Sequence, residues 1–191
     1  MELLIAMVVL TVGLGGVLTL MLSAMYGDNR SSGDTSATMV AEHVLEQITA
    51  QPANSVLSIP ITDCAGNTWN ISTQGAPRGA AGTAANGGYG ANLTSAGLID
   101  WSQAFSGILP DASGNLYAMQ YVACGTGGKQ ITYDVRWNVA WLDGYTLAAG
   151  YTSQSTVYSQ LVVISARPLI STQTGGLRFS IPANLRSVQG M

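Results

Sequence analysis

The stretch MELLIAMVVLTVGLGGVLTLMLSAM, residues 1–25, sets the layout of the chain. From Leu3 to Met25 it carries no charged side chain, and Glu2 stands alone at its head. As an α-helix at about 1.5 Å per residue this run would span roughly 35 Å, enough for a hydrocarbon core of roughly 30 Å. A buried core helix would rarely be apolar on every face. A secretory signal would need a positive n-region and a shorter apolar run. A membrane-spanning helix is therefore the favoured reading. The flanking charges Asp28, Arg30 and Asp34 are of mixed sign and do not orient it.

The helical pattern continues beyond the apolar run. In DTSATMVAEHVLEQITAQ, residues 34–51, Ala37, Val40, Ala41, Val44, Leu45 and Ile48 recur at steps of three and four, which is one apolar stripe on a helix. Glu42, His43, Glu46 and Gln47 occupy the other faces. Asp34 suits a local N-cap, and Pro52 stops the helix. Gly27 and Gly33 lie between the halves, each costing roughly 1 kcal/mol relative to alanine. The pattern thus allows one helix of about 50 residues, near 75 Å long, or two helices joined at a bend.

After Pro52 the periodicity shifts toward two. In ITYDVRWNVAW, residues 131–141, Ile131, Tyr133, Val135, Trp137, Val139 and Trp141 alternate with Thr132, Asp134, Arg136, Asn138 and Ala140. This predicts a strand with one buried and one wet face. TVYSQLVVISARP at 156–168 is its expected antiparallel partner. Other strand candidates are residues 55–60, 68–73, 117–123 and, at an edge, LRFSIP at 177–182. A short helix is expected near 98–105, and residues 75–92 form a Gly/Ala/Asn-rich loop with little to bury. The fold class is therefore α+β: a long N-terminal helix whose second half covers an antiparallel sheet. The expected organisation is an apolar helix at 1–27, an amphipathic helix at 28–52 and a β-sheet domain at 53–191.

Composition narrows the function. Only 9% of the 191 residues are charged and the net charge is −3, against roughly a quarter charged in ordinary soluble domains. One Lys and six Arg are scattered, so nucleic-acid binding has no electrostatic footprint. Two cysteines and one histidine make no zinc set. A Cys64–Cys124 disulfide is the favoured reading, with two buried thiols as the alternative. The disulfide would put everything after the helix in an oxidising compartment.

Catalytic patterns are weak. His43 with Glu42 and Glu46 has spacing for a metal, but with no second histidine a solvated helix face is favoured. ACGTGGKQ at 123–130 begins like a phosphate loop, yet Gln130 stands where Ser or Thr should meet magnesium, and a strand is expected next rather than a helix. A hairpin turn is the better reading. No GxSxG elbow occurs. Asn70 and Asn92 begin N-x-S/T triplets, weak signals of glycosylation, and the Ser/Thr-rich residues 152–156 are a similarly weak modification candidate. The pattern thus implies no enzyme, cofactor or metal.

MELLIAMVVLTVGLGGVL resembles the N-terminal segment of type IV pilins and pseudopilins, in which a glutamate heads a long apolar helix. More loosely, the resemblance runs through the amphipathic helix and the disulfide-bearing sheet. It implies that Glu2 meets the N-terminal amine of a neighbouring subunit in a filament, which fits the high cost of an unpaired acid among apolar helices. No Lys or Arg lies within 25 residues of Glu2. An acid resting in water at the membrane interface is the plainer alternative.

By the same resemblance, the partners are copies of the chain or other pilins, the inner membrane before assembly, the prepilin peptidase and the assembly machinery. The location is then a bacterial surface filament, with an extracytoplasmic domain before assembly. The family's basic leader and first mature residues would precede Met1, and the amine that Glu2 meets would belong to one of them. Relatives often carry a proline inside the apolar helix. Gly13, Gly15 and Gly16 occupy that region here, which predicts local loosening of the helix when subunits pack. A low-copy tip or priming pilin, a secretion pseudopilin and a single-pass membrane enzyme are the other classes.

Overall fold

The computed structural model describes residues 2–77, 87–111, 113–125, 128, 130–143, 146–147, 157–169 and 182–190. One unbroken helix, α1 (Glu2–Thr49), fills the N-terminal quarter. Its 48 residues reach about 72 Å at about 1.5 Å per residue. Of the two arrangements allowed by the sequence, the continuous helix is present, despite Gly27 and Gly33. The last turn closes through the Ala50 N–H to Glu46 O (2.9 Å) and the Gln51 N–H to Ile48 O (3.2 Å), just before Pro52.

The strands are β1 (Ser58–Thr62), β2 (Thr68–Ser72), β3 (Tyr89–Gly90), β4 (Ala118–Cys124), β5 (Gln130–Asp143), β6 (Thr146–Leu147), β7 (Ser159–Pro168) and β8 (Ala183–Gly190). β1 and β2 form a separate antiparallel hairpin. The other six make one sheet around β5. β7 lies along one edge of β5 and carries β8 on its far side, while β3, β4 and β6 also pair with β5. Every one of these pairings is antiparallel. The register sets Trp137 opposite Ile164 and Val139 opposite Val162, so branched and aromatic side chains meet across the strands.

Three expectations need correction. The first strand begins at Ser58 rather than residue 55. No α-helix forms over 98–105. A single 3-10 turn, Phe105–Gly107, follows instead, because the Asp100 carboxylate takes the Ser102 N–H (2.9 Å) and hydroxyl (2.6 Å) and favours a turn there. The strand beside β7 is Ala183–Gly190. Of the expected LRFSIP strand, residues 177–181 lie outside the described residues, as do 152–156.

The third correction concerns β5. Its alternation predicts a wet face, yet every residue from Tyr133 to Leu142 is buried. β5 is an inner strand, and its polar face is covered by the chain of residues 87–105. Asn138 Nδ2 donates to Gly87 O and Ala91 O, each at 2.9 Å, and Arg136 Nη1 donates to Gln103 O at 2.7 Å. The described ends of the Gly/Ala-rich loop share in this burial: Ala76 and Ala91 are core residues. Residues 78–86 lie outside the described residues. Gly90, with φ +103°, shows why glycine is needed: a Cβ there would press on Trp137 O and the Tyr117 ring.

One hydrophobic cluster gathers Ala37, Val40, Ala41, Val44 and Ile48 with residues of β2, β4, β5 and β7, including Ile71, Met119, Trp137 and Ile164. The second half of α1 approaches β5, β7 and β8. In the first half every residue from Ile5 to Met25 is exposed.

Candidate functional site

Ile5–Met25 has a mean hydropathy of 2.4, and none of it is buried. It is long and apolar enough to cross a membrane. Its two threonine hydroxyls are satisfied within the helix. Thr11 Oγ1 donates to Met7 O (3.0 Å) or Val8 O (2.9 Å), and Thr19 Oγ1 to Gly15 O (3.1 Å) or Gly16 O (2.8 Å). Back-bonding of this kind removes the cost of carrying hydroxyls into an apolar surrounding. The backbone is helical through Gly13, Gly15 and Gly16, and a Cβ at any of the three would meet open space. They are gaps in an outward-facing apolar surface. Glu2 heads α1.

At the other end, Cys64 and Cys124 are joined by a disulfide, with their Cα atoms 5.9 Å apart. It ties the β1–β2 turn to the end of β4. Asn70 is exposed on β2 and Asn92 is half-buried, but the hydroxyl that would complete the first triplet, that of Ser72, is buried. Ser72 Oγ donates to Asp111 Oδ2 at 2.7 Å. In ACGTGGKQ, Cys124 pairs with Gln130 and β5 follows directly, so the segment is a hairpin connection. The Lys129 side chain lies outside the described residues. His43 is exposed on α1, with its ring centroid 6.4 Å from that of Tyr121. Among the described residues no three His, Cys, Asp or Glu side chains stand together as a metal set.

Two constellations were missed by sequence reasoning. The first is a pair of matching turns. Asp63-Cys64-Ala65-Gly66-Asn67 and Asp111-Ala112-Ser113-Gly114-Asn115 share the pattern D-x-x-G-N, which is the signal that would have found them. In each, one carboxylate oxygen accepts the backbone N–H two and four residues on, all at 2.9 Å. The other oxygen accepts the Asn amide, at 2.9 Å in the first turn and 3.0 Å in the second. The glycine carries a positive φ, +85° and +80°. The turns brace one another's strands: Asp63 Oδ2 takes the Val122 N–H of β4 (3.3 Å), and Asp111 Oδ2 takes the Ser72 hydroxyl of β2. Burial pushes both carboxyls up, but the donors outweigh it and hold both below the ordinary aspartate value.

The second is on the covered face of β5. Arg136 grips Asp134 through Nε–Oδ1 (2.9 Å) and Nη2–Oδ2 (2.7 Å), and Arg167 stands opposite Asp134 across the β5–β7 ladder, 3.6 Å away. Both guanidinium groups lie over the Trp101 ring, at 4.7 and 4.2 Å from its centroid. Arg136 spends its donors on Asp134 and Gln103 O, so this cluster pins the 100–105 chain to the sheet.

No known protein family, curated protein or solved structure matches this chain. The functional reading therefore rests on the layout and on the N-terminal residues.

Proposed function

We propose that the chain is a structural subunit of a type IV pilus-like filament, with no enzymatic role. The observation that carries this is the division of α1. One continuous helix shares the core of a disulfide-tied antiparallel sheet domain at one end and bares a membrane-length apolar surface headed by an acid at the other. A free apolar surface of this size demands cover. The lipid bilayer supplies it before assembly, and the α1 helices of neighbouring copies supply it in the polymer. Within such a bundle Glu2 pairs with the N-terminal amine of a neighbour, because an unpaired carboxylate there would be costly. The sheet domains then face outward, on the extracytoplasmic side.

The test is Glu2→Ala, followed by shearing of surface filaments from cells and probing for the chain. Filament yield should collapse while the subunit still accumulates in the membrane. Normal filaments built from the variant would overturn the proposal.

A further inference from the structure

We propose that α1 carries a hinge at Gly27–Gly33: the helix opens just ahead of Asp34, and Asp34 then becomes the N-cap of the half that stays with the sheet domain. The inference concerns the mechanics of the helix and stands whether or not the chain polymerises.

Four observations converge on this segment. Its residues are Gly27, Asp28, Asn29, Arg30, Ser31, Ser32 and Gly33. All but Arg30 rank low as helix formers, and the Asp, Asn and Ser side chains compete for backbone hydrogen bonds. Among the described side chains, burial offsets little of this. Gly27, Asp28, Ser31 and Ser32 are exposed, Gly33 is half-buried, a Cβ on either glycine would meet open space, and among the described residues the first buried one of α1 is Ala37. The hydrogen bonds of the segment are thus the least supported of the helix.

The third observation is Asp34 itself. In the continuous helix its Oδ1 is buried and has no hydrogen-bond partner, a costly state for a carboxylate oxygen. Opening the helix ahead of Asp34 frees the N–H groups of Ser36 and Ala37 from the carbonyls of Ser32 and Gly33. Those are the donors that an N-cap carboxylate accepts. One rearrangement therefore supplies partners to the orphan oxygen and to the freed donors. Fourth, the docked side is already anchored: Thr38 Oγ1 donates to Asp34 O at 3.1 Å, and the buried Tyr133 of β5 faces Asp34 and Ser36. The hinge would let the apolar half and the sheet domain take different angles while each keeps its own surroundings.

The experiment uses the full chain in detergent micelles with its disulfide intact. Spin labels on Ser23→Cys and Met39→Cys stand about 24 Å apart along a straight helix. The hinge predicts a broad distance distribution reaching well below that value, which Gly27→Ala/Gly33→Ala narrows to a single peak near it. A narrow peak near 24 Å in the unaltered segment, unchanged by the alanines, overturns the hinge. Amide exchange at Ser36–Thr38 tests the cap by its sign. Asp34→Ala should speed exchange several-fold, and Asp34→Asn, which retains a capping oxygen, should leave it nearly unchanged. Alanine is the better interior helix residue, so slower exchange in Asp34→Ala would overturn the capping role. The same comparison in a Tyr133→Phe background must give the same result. Loss of the Asp34 effect there would mean that Asp34 acts through the Tyr133 hydroxyl, and would equally overturn the cap.

Discussion

At the scale of single residues, the side chains that set the shape of the sheet domain are polar. Asp63 and Asp111 each organise a turn by accepting several donors, and their carboxyls lie below the ordinary aspartate value. A lowered folded-state value means that the stabilisation is fully present above the unfolded aspartate pKa of about 3.9. It is lost as the pH falls through the lower folded value. Acid unfolding should therefore steepen below about pH 4. The Asp63→Asn/Asp111→Asn variant should be less stable at neutral pH and flatter in that window, as measured by thermal melts across pH. Asp111→Asn should cost more than Asp63→Asn, because the buried Ser72 hydroxyl loses its charged acceptor. Arg136 makes the matching case for a charge. Arg136→Ala leaves Asp134 buried, with only the half-exposed Arg167 nearby, and should destabilise by about 3–5 kcal/mol. Asp134→Leu/Arg136→Met should recover most of that loss. Denaturant titration distinguishes the two, and equal losses would contradict the account.

At the scale of elements, α1 is two helices in one. Its second half has a stripe to bury, and its first half has helix-forming residues that none of the described residues bury. The β1–β2 hairpin is the other semi-independent element, because it lies outside the main sheet. It is tied back by the Cys64–Cys124 bond, by Asp63 to β4 and by the Leu116 N–H to Asn70 O (3.1 Å). The bond closes a loop of 60 residues, worth about 4 kcal/mol in the chain-entropy picture. Cys64→Ser/Cys124→Ser should lower stability by 2–5 kcal/mol, a range typical of native disulfides. Amide exchange should rise first in the turn 63–67. The second turn, around Asp111, does not depend on that bond and should keep its protection. Uniform loss across both turns would show that the hairpin is not a separate unit.

At the scale of the whole molecule, the apolar run and the core are far apart. From Glu2 to Ala37, the first buried residue of α1, the helix covers about 52 Å at about 1.5 Å per residue. Glu2→Ala should therefore leave the melting temperature of the sheet domain unchanged while it abolishes filament yield. A fall in melting temperature comparable to that in Arg136→Ala would point to a structural role for Glu2 in the subunit itself.

The same distances explain what could be read in advance. Local rules suffice for the apolar helix, the Ala37–Ile48 stripe, the β5–β7 pairing and the cysteine bond, because each rests on periodicity, on charge-free length or on there being only two cysteines. The structure, not the sequence, shows α1 continuous through Gly27 and Gly33, where low propensity allowed either arrangement. Tertiary structure alone decided that the polar face of β5 is dry. Asp134, Arg136 and Asn138 look like solvent-facing residues in a strand, and only the chain of residues 87–105, brought from some 30 to 50 positions away, supplies the carbonyls and the Trp101 ring that bury them. A sequence states which residues alternate. Which face meets water depends on what the rest of the chain lays across it.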